Sequence, residues 1–179
     1  DEARPDTAYG KSKLESEQRL EAIKGFPFIV LRPTGVYGPR EKDYFMMAQS
    51  ISRHVDFAVG YRPQHLTFIY VMDVVQAVFL ALDHGTVGSR YFISDGRVYS
   101  SRTFSDLISN ELGNPWLLRI KAPLWLLRII SFAGEWTARI TGKISALNND
   151  KYNIMKQRNW MCDIKPAENE LGYKPQYDL

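Results

Sequence analysis

The chain has 179 residues, 45% of them hydrophobic, enough for one substantial core and too many for an intrinsically disordered segment. Its 23 basic and 20 acidic residues give a net charge of +3, and the cations are spread along the sequence without the concentrated stripe that tracks a phosphate backbone, which argues against nucleic acid as a partner. Cys162 is the only cysteine, so an internal disulfide is excluded. His54, His65 and His84 lack metal-ligand spacing, so no metal site is expected.

The polar stretch from Asp1 to Thr7 has no secretory pattern, and with the single cysteine it points to the cytoplasm. Thr7 or Asp6 is suited to cap a helix whose first turn carries Tyr9; it runs to Lys24, with Glu15 four residues before Arg19, and Gly25 ends it. An apolar strand follows at Phe28–Leu31, broken by Pro33 and a Gly-Pro loop. Next come a helix from Tyr44 to Arg53, a weak strand at Val55–Val59, a strand at Leu66–Val71, and a helix opened by Asp73 and reaching Leu82. Its run VVQAVFLAL is apolar almost all round, which predicts burial on most sides with Asp73 as N-cap. SRYFISDG reads as a strand, SSRTFSDLISNELG as a helix closed by Gly113, WLLRI as a strand, and PAENELGYKP as a short helix closed by Gly172. Strands alternating with helices indicate α/β layering around a parallel sheet.

Between Pro123 and Ile140 the pattern is a helix with one narrow polar stripe, Arg128, Ser131, Glu135 and Arg139, in otherwise apolar sequence. At about 27 Å it falls short of a bilayer core, and it carries three charges. The thin polar face predicts that it packs against the protein or walls an apolar pocket; membrane-surface contact through flanking Arg119, Lys121 and Lys143 is the less favoured alternative.

Tyr9 and Lys13 stand four residues apart, so on a helix both side chains share one face. An ammonium near a phenol stabilises the phenolate, and the helix N-terminus adds positive potential, so Tyr9 is a candidate general acid or base. The pattern Thr7-x-Tyr9-Gly-x-Ser12-Lys13, followed by Leu31-Arg32-Pro33-Thr34-Gly35-Val36-Tyr37-Gly38-Pro39-Arg40, resembles the extended short-chain dehydrogenase/reductase family. FIYVMDVVQAVFLAL and ENELGYKP extend the likeness over nearly the whole chain.

The resemblance implies NAD or NADP as cofactor, Tyr9 as the group exchanging a proton with the substrate oxygen, and Lys13 lowering its pKa and bonding the nicotinamide ribose. Pro33, Thr34, Gly35 and Val36 would lie against the nicotinamide. The glycine-rich turn that admits a pyrophosphate to a helix N-terminus has no counterpart here. The expected architecture is therefore the C-terminal portion of a Rossmann-type doubly wound α/β fold plus a smaller substrate-binding domain, lacking the N-terminal cofactor half. Residues 1–40 would be a remnant of the dinucleotide-binding domain and 41–179 mainly substrate-binding, with 66–113 partly returning to the Rossmann sheet.

Such a fragment is expected to be inactive alone. For the intact enzyme the family's substrates divide into nucleotide sugars and apolar alcohols or ketones. Arg40, Arg53, Arg62 and Arg90 are candidates for a diphosphate, Arg40 and Arg90 foremost, whereas the Pro123 helix favours the apolar class. A homodimer is compatible with the family, as is a non-catalytic protein that keeps the fold.

Overall fold

The computed structural model describes residues 3–141 and 149–179. Helix α1 (Ala8–Ala22) starts at Thr7, whose hydroxyl accepts the Gly10 N–H at 3.0 Å, so of the two candidate caps Thr7 does the capping. After it come β1 (Val30–Pro33), β2 (Gly35–Tyr37), α2 (Asp43–Ser52), β3 (Val55–Val59), β4 (His65–Leu66), β5 (Phe68–Tyr70), α3 (Val71–His84) and β6 (Arg90–Ile93). The chain continues through β7 (Tyr99–Ser100), α4 (Ser101–Glu111), β8 (Leu118–Ala122), α5 (Leu124–Thr141), α6 (Asn149–Lys156) and α7 (Lys165–Leu171). Ser100 and Thr103 form a reciprocal capping box at α4, and Gly172 closes α7 in the left-handed region at φ +68°.

The fold is mixed α/β. β1 pairs with β6, β2 with β5 and β3 with β8, all parallel, while β4 and β7 pair antiparallel. Parallel strands need covering helices, and here the core lies where α3 and α7 meet these strands: Ile69, Ala77, Tyr91, Ile93, Leu171 and Tyr173 are buried together. An aromatic group joins α2, β5 and α4, with the rings of Phe68 and Phe104 stacked at 5.5 Å and Tyr44 5.0 Å from Phe104. Asp56, buried in β3, lies 3.9 Å from Arg102 and 3.8 Å from Arg119, so α4 and β8 share its charge.

Four expectations are corrected. The strand expected at Leu66–Val71 is two strands, because the Thr67 hydroxyl between them donates to the Trp160 carbonyl at 2.7 Å and each half joins a different ladder. Asp73 is not the N-cap of α3. That position belongs to Tyr70, and the buried Asp73 carboxylate accepts the backbone N–H groups of Gln176 and Tyr177 from the C-terminal tail. α3 is not buried on most sides either: Ala77 and Ala81 face the core, while Val75, Val78, Phe79 and Leu82 are exposed.

The fourth correction concerns α5, which does not bury its aromatic side against the protein, although its start, Leu124 and Trp125, does line a cavity. Ser131, from the polar stripe, is fully buried, whereas Trp125, Ile129, Phe132 and Trp136 point outward. Lys143, proposed to flank this helix, lies outside the described residues. Among the described residues no helix is long and apolar enough to cross a membrane.

Candidate active site

Helix α1 has no buried residue and is held mainly by charge. The Arg32 guanidinium of β1 grips both oxygens of Glu17, at 3.0 and 2.5 Å, and Arg90 of β6 reaches Glu17 at 3.4 Å and also pairs with Glu21. The Arg32 hydrogen bond, opposed in part by burial, holds the Glu17 carboxyl below its ordinary range.

These contacts fix the helix direction. Arg90 lies level with Val30 and meets Glu21 and Glu17; Arg32, two residues further along β1, meets only Glu17. Advancing along β1 therefore means retreating along α1, so the two run antiparallel. Lys13 and Tyr9 lie about 6 and 12 Å of helix beyond Glu17, in the direction of the carboxyl end of β1, the end at which open α/β sheets bind ligands.

The Lys13 Nζ stands 5.4 Å from the centroid of the Tyr9 ring, and the Ser12 hydroxyl donates to the Tyr9 carbonyl at 2.8 Å. Tyr9 is 67% exposed, so its phenol is open to a ligand. Other tyrosines are engaged. Tyr37 donates to the Asp178 carbonyl at 2.7 Å, and burial, reinforced by Asp95, Asp178 and Asp73, pushes it up to about 12; burial does the same to Tyr44. Cys162 is half-buried, which pushes its thiol up, so it is a poor nucleophile.

Thr34 spends its backbone N–H on the Ile93 carbonyl, but its buried hydroxyl has no partner. Gly35 keeps the strand end narrow: a Cβ there would come within 2.6 Å of the Tyr44 hydroxyl oxygen. A phenol, an ammonium, a strand end and an unsatisfied hydroxyl fit the nicotinamide end of a dinucleotide. The residues present offer no glycine-rich cradle for its pyrophosphate.

The two substrate-binding candidates are not brought together. Arg40 is exposed on the turn after β2, at φ +73°, whereas Arg90 is committed to the Glu17–Glu21 clamp, away from Tyr9. A cavity of about 510 Å³ lies between the start of α5 and the end of α6, lined in part by Tyr61, Arg62, Trp125, Lys156 and Arg158; the sequence singled out Arg62 and the helix at Pro123 but not Lys156 or Arg158. It lies close to the start of α1, since Lys156 pairs with Asp6 at 3.5 Å and the Ala8 N–H donates to Asp150 at 3.0 Å. Arg158 donates to the Val59 carbonyl at 3.0 Å and the Arg62 carbonyl at 3.3 Å. The cations of KQR, directly after a short helix, were the available signal. An apolar cavity of about 550 Å³ between Phe28, Ile29, Val78 and Leu82 opens at the other end of β1 and plays no part in this site.

Parallel strand pairs under helices, with a Tyr–Lys helix at their carboxyl ends, define a mixed α/β protein of Rossmann type. The NAD dependent epimerase/dehydratase family matches residues 1–94. The chain belongs to that family.

UDP-glucose 4-epimerase of Vibrio cholerae is 23% identical over 98% of this chain and 51% of its own length. Short-chain dehydrogenase/reductase family 42E member 1 of Bos taurus is 30% identical over 96% of this chain and 49% of its own. Among solved structures, the dTDP-glucose 4,6-dehydratase DesIV of Streptomyces venezuelae, with NAD and TYD bound, superposes with a TM-score of 0.73 at 18% identity, over 99% of this chain and 49% of that one. The chain spans about half the length of the curated relatives it matches.

Proposed function

We propose that the protein serves an NAD(P)-dependent oxidoreductase reaction at a hydroxyl or carbonyl carbon, with Tyr9 exchanging the proton of the substrate oxygen. The observation that carries this is the Lys13 ammonium beside the exposed Tyr9 ring, on the end of α1 directed toward the carboxyl end of β1. Nothing in folding requires such a pair on a helix without buried residues. A bound nicotinamide supplies the hydride acceptor or donor. In the oxidising direction Tyr9 takes the hydroxyl proton as the carbonyl forms, and in the reducing direction it returns it. Lys13 places positive charge beside the phenol and is suited to bond the ribose, while the backbone of Pro33, Gly35 and Val36 and the free Thr34 hydroxyl line the carboxamide side.

Residues 1–40 then carry the cofactor-facing remnant and 41–179 mainly the substrate side, with 66–113 contributing β5, α3 and β6 to the sheet. Because the glycine-rich cradle is absent from these residues, the 179-residue chain alone binds NAD(P) weakly and is inactive; submicromolar binding by calorimetry would contradict this.

The cavity beside Asp6 is the substrate side of this reading. Lys156 is neutralised by Asp6 and the Arg158 guanidinium is occupied by carbonyls, which leaves Arg62 as the lining cation without a partner among the described residues, little for a diphosphate. Pro123, Leu124 and Trp125 favour an apolar alcohol or ketone. A nucleotide sugar is the second reading, favoured by the three cations taken together.

In the full-length enzyme, Tyr9→Phe is expected to lower kcat about 10² to 10⁴-fold with KM little changed, followed by NAD(P)H absorbance. Unchanged turnover on an identified substrate removes the assigned proton role.

A further inference from the structure

Helix α5 is turned inside out for a protein-packed helix. Its protein-facing line is Leu124, Leu127, Ser131 and Gly134, and the buried Ser131 hydroxyl finds no partner there. Its opposite side carries Trp125, Ile129, Phe132 and Trp136, which at 100° per residue fall within about 60° of one another. Phe132 is 70% exposed and the other three are more than half exposed. Had burial in this protein directed the helix, its aromatic side would face inward and its serine outward.

Two exposed cations accompany this face. Arg128 stands on the helix at the margin of the aromatic side, and Arg62 lines the cavity that Trp125 also lines. Neither has a carboxylate partner among the described residues.

We propose that α5 docks the protein on an anionic lipid surface. The helix lies in the plane of the interface with Ile129 and Phe132 below headgroup level, the two indoles at its ends in the headgroup zone, and Arg62 and Arg128 meeting anionic headgroups. A second copy of the chain fits this face less well, because a two-fold contact sets the same unneutralised arginines near their own counterparts. The assignment shares Arg62 and Trp125 with the cavity described above but does not rest on the reaction proposed there.

The test is sedimentation of the intact protein with vesicles of phosphatidylcholine alone and of phosphatidylcholine with phosphatidylserine, with tryptophan emission and quenching by brominated acyl chains read in parallel. Two cations near the surface predict binding to the anionic vesicles roughly 30-fold tighter than to neutral ones. Quenching is expected at the indoles. The Phe132→Ser/Trp136→Ser variant, altered only at exposed positions, is expected to abolish sedimentation while its circular dichroism is unchanged. Arg62→Glu keeps the apolar face and is expected to weaken anionic binding roughly 10-fold or more.

Absence of vesicle binding by the folded protein overturns the proposal. So does a concentration-dependent dimer, seen by light scattering, that the Phe132→Ser/Trp136→Ser variant dissolves while vesicle binding is absent; the face is then an interface between copies.

Discussion

Asp73 carries the C-terminal tail. Its buried carboxylate accepts the Gln176 N–H at 3.1 and 3.2 Å and the Tyr177 N–H at 3.1 Å, charge-assisted bonds to otherwise unpaired backbone. Asp73→Ala removes the acceptors and is expected to cost about 2 kcal/mol, read as a lower urea midpoint with an unchanged slope. Gly35 offers a second test at this scale. Gly35→Ala sets a Cβ against the Tyr44 hydroxyl, with an expected cost of about 1–3 kcal/mol. Adding Tyr44→Phe is expected to recover most of that loss, so additive losses in the double variant would show that the close approach is not the cause.

Among elements, α1 has the clearest pH dependence. Glu17 has its carboxyl lowered by Arg32, so its contribution is complete above the ordinary value of 4.5 and is lost as pH falls through the lowered folded value. Amide exchange of α1 is expected to accelerate in that acidic window before exchange in β1 and β6 does, and Glu17→Gln is expected to show the fast exchange already at neutral pH. Equal protection of α1 in both proteins would remove the clamp from the account. The helices that carry local signals were legible: Thr7 before α1, Ser100 with Thr103 at α4, Gly172 after α7. Others were not, for physical reasons. The Asn149–Lys156 sequence of α6 is polar, without a clear apolar period, and the break at Thr67 depends on the Trp160 carbonyl, a partner more than ninety residues away. α5 misled because periodicity reports that two faces differ and says nothing about which one turns outward. Spacing put Tyr9 and Lys13 on one helix face and the motifs around them gave the pair its chemistry, whereas the cavity at Lys156 and Arg158 exists only once α6 is set beside Asp6.

For the molecule as a whole, alkali strains the interior through its buried tyrosines. Tyr37, Tyr44 and Tyr99 are raised to about 12 in the fold, in each case chiefly by burial, against an ordinary value near 10. A raised folded value means that their contribution is complete below about pH 10 and is lost as pH rises towards 12. Urea midpoints are therefore expected to be flat from neutrality to about pH 9 and to fall steeply above 10; a midpoint that holds to pH 12 would sink this account.

Trp125 belongs to two surfaces at once. The residue lines the cavity beside Lys156 and Arg158 and also stands in the outward row of α5. A surface that covers that row therefore also borders one wall of the cavity. An oily reactant arriving along the helix would meet the threshold without first passing through bulk water.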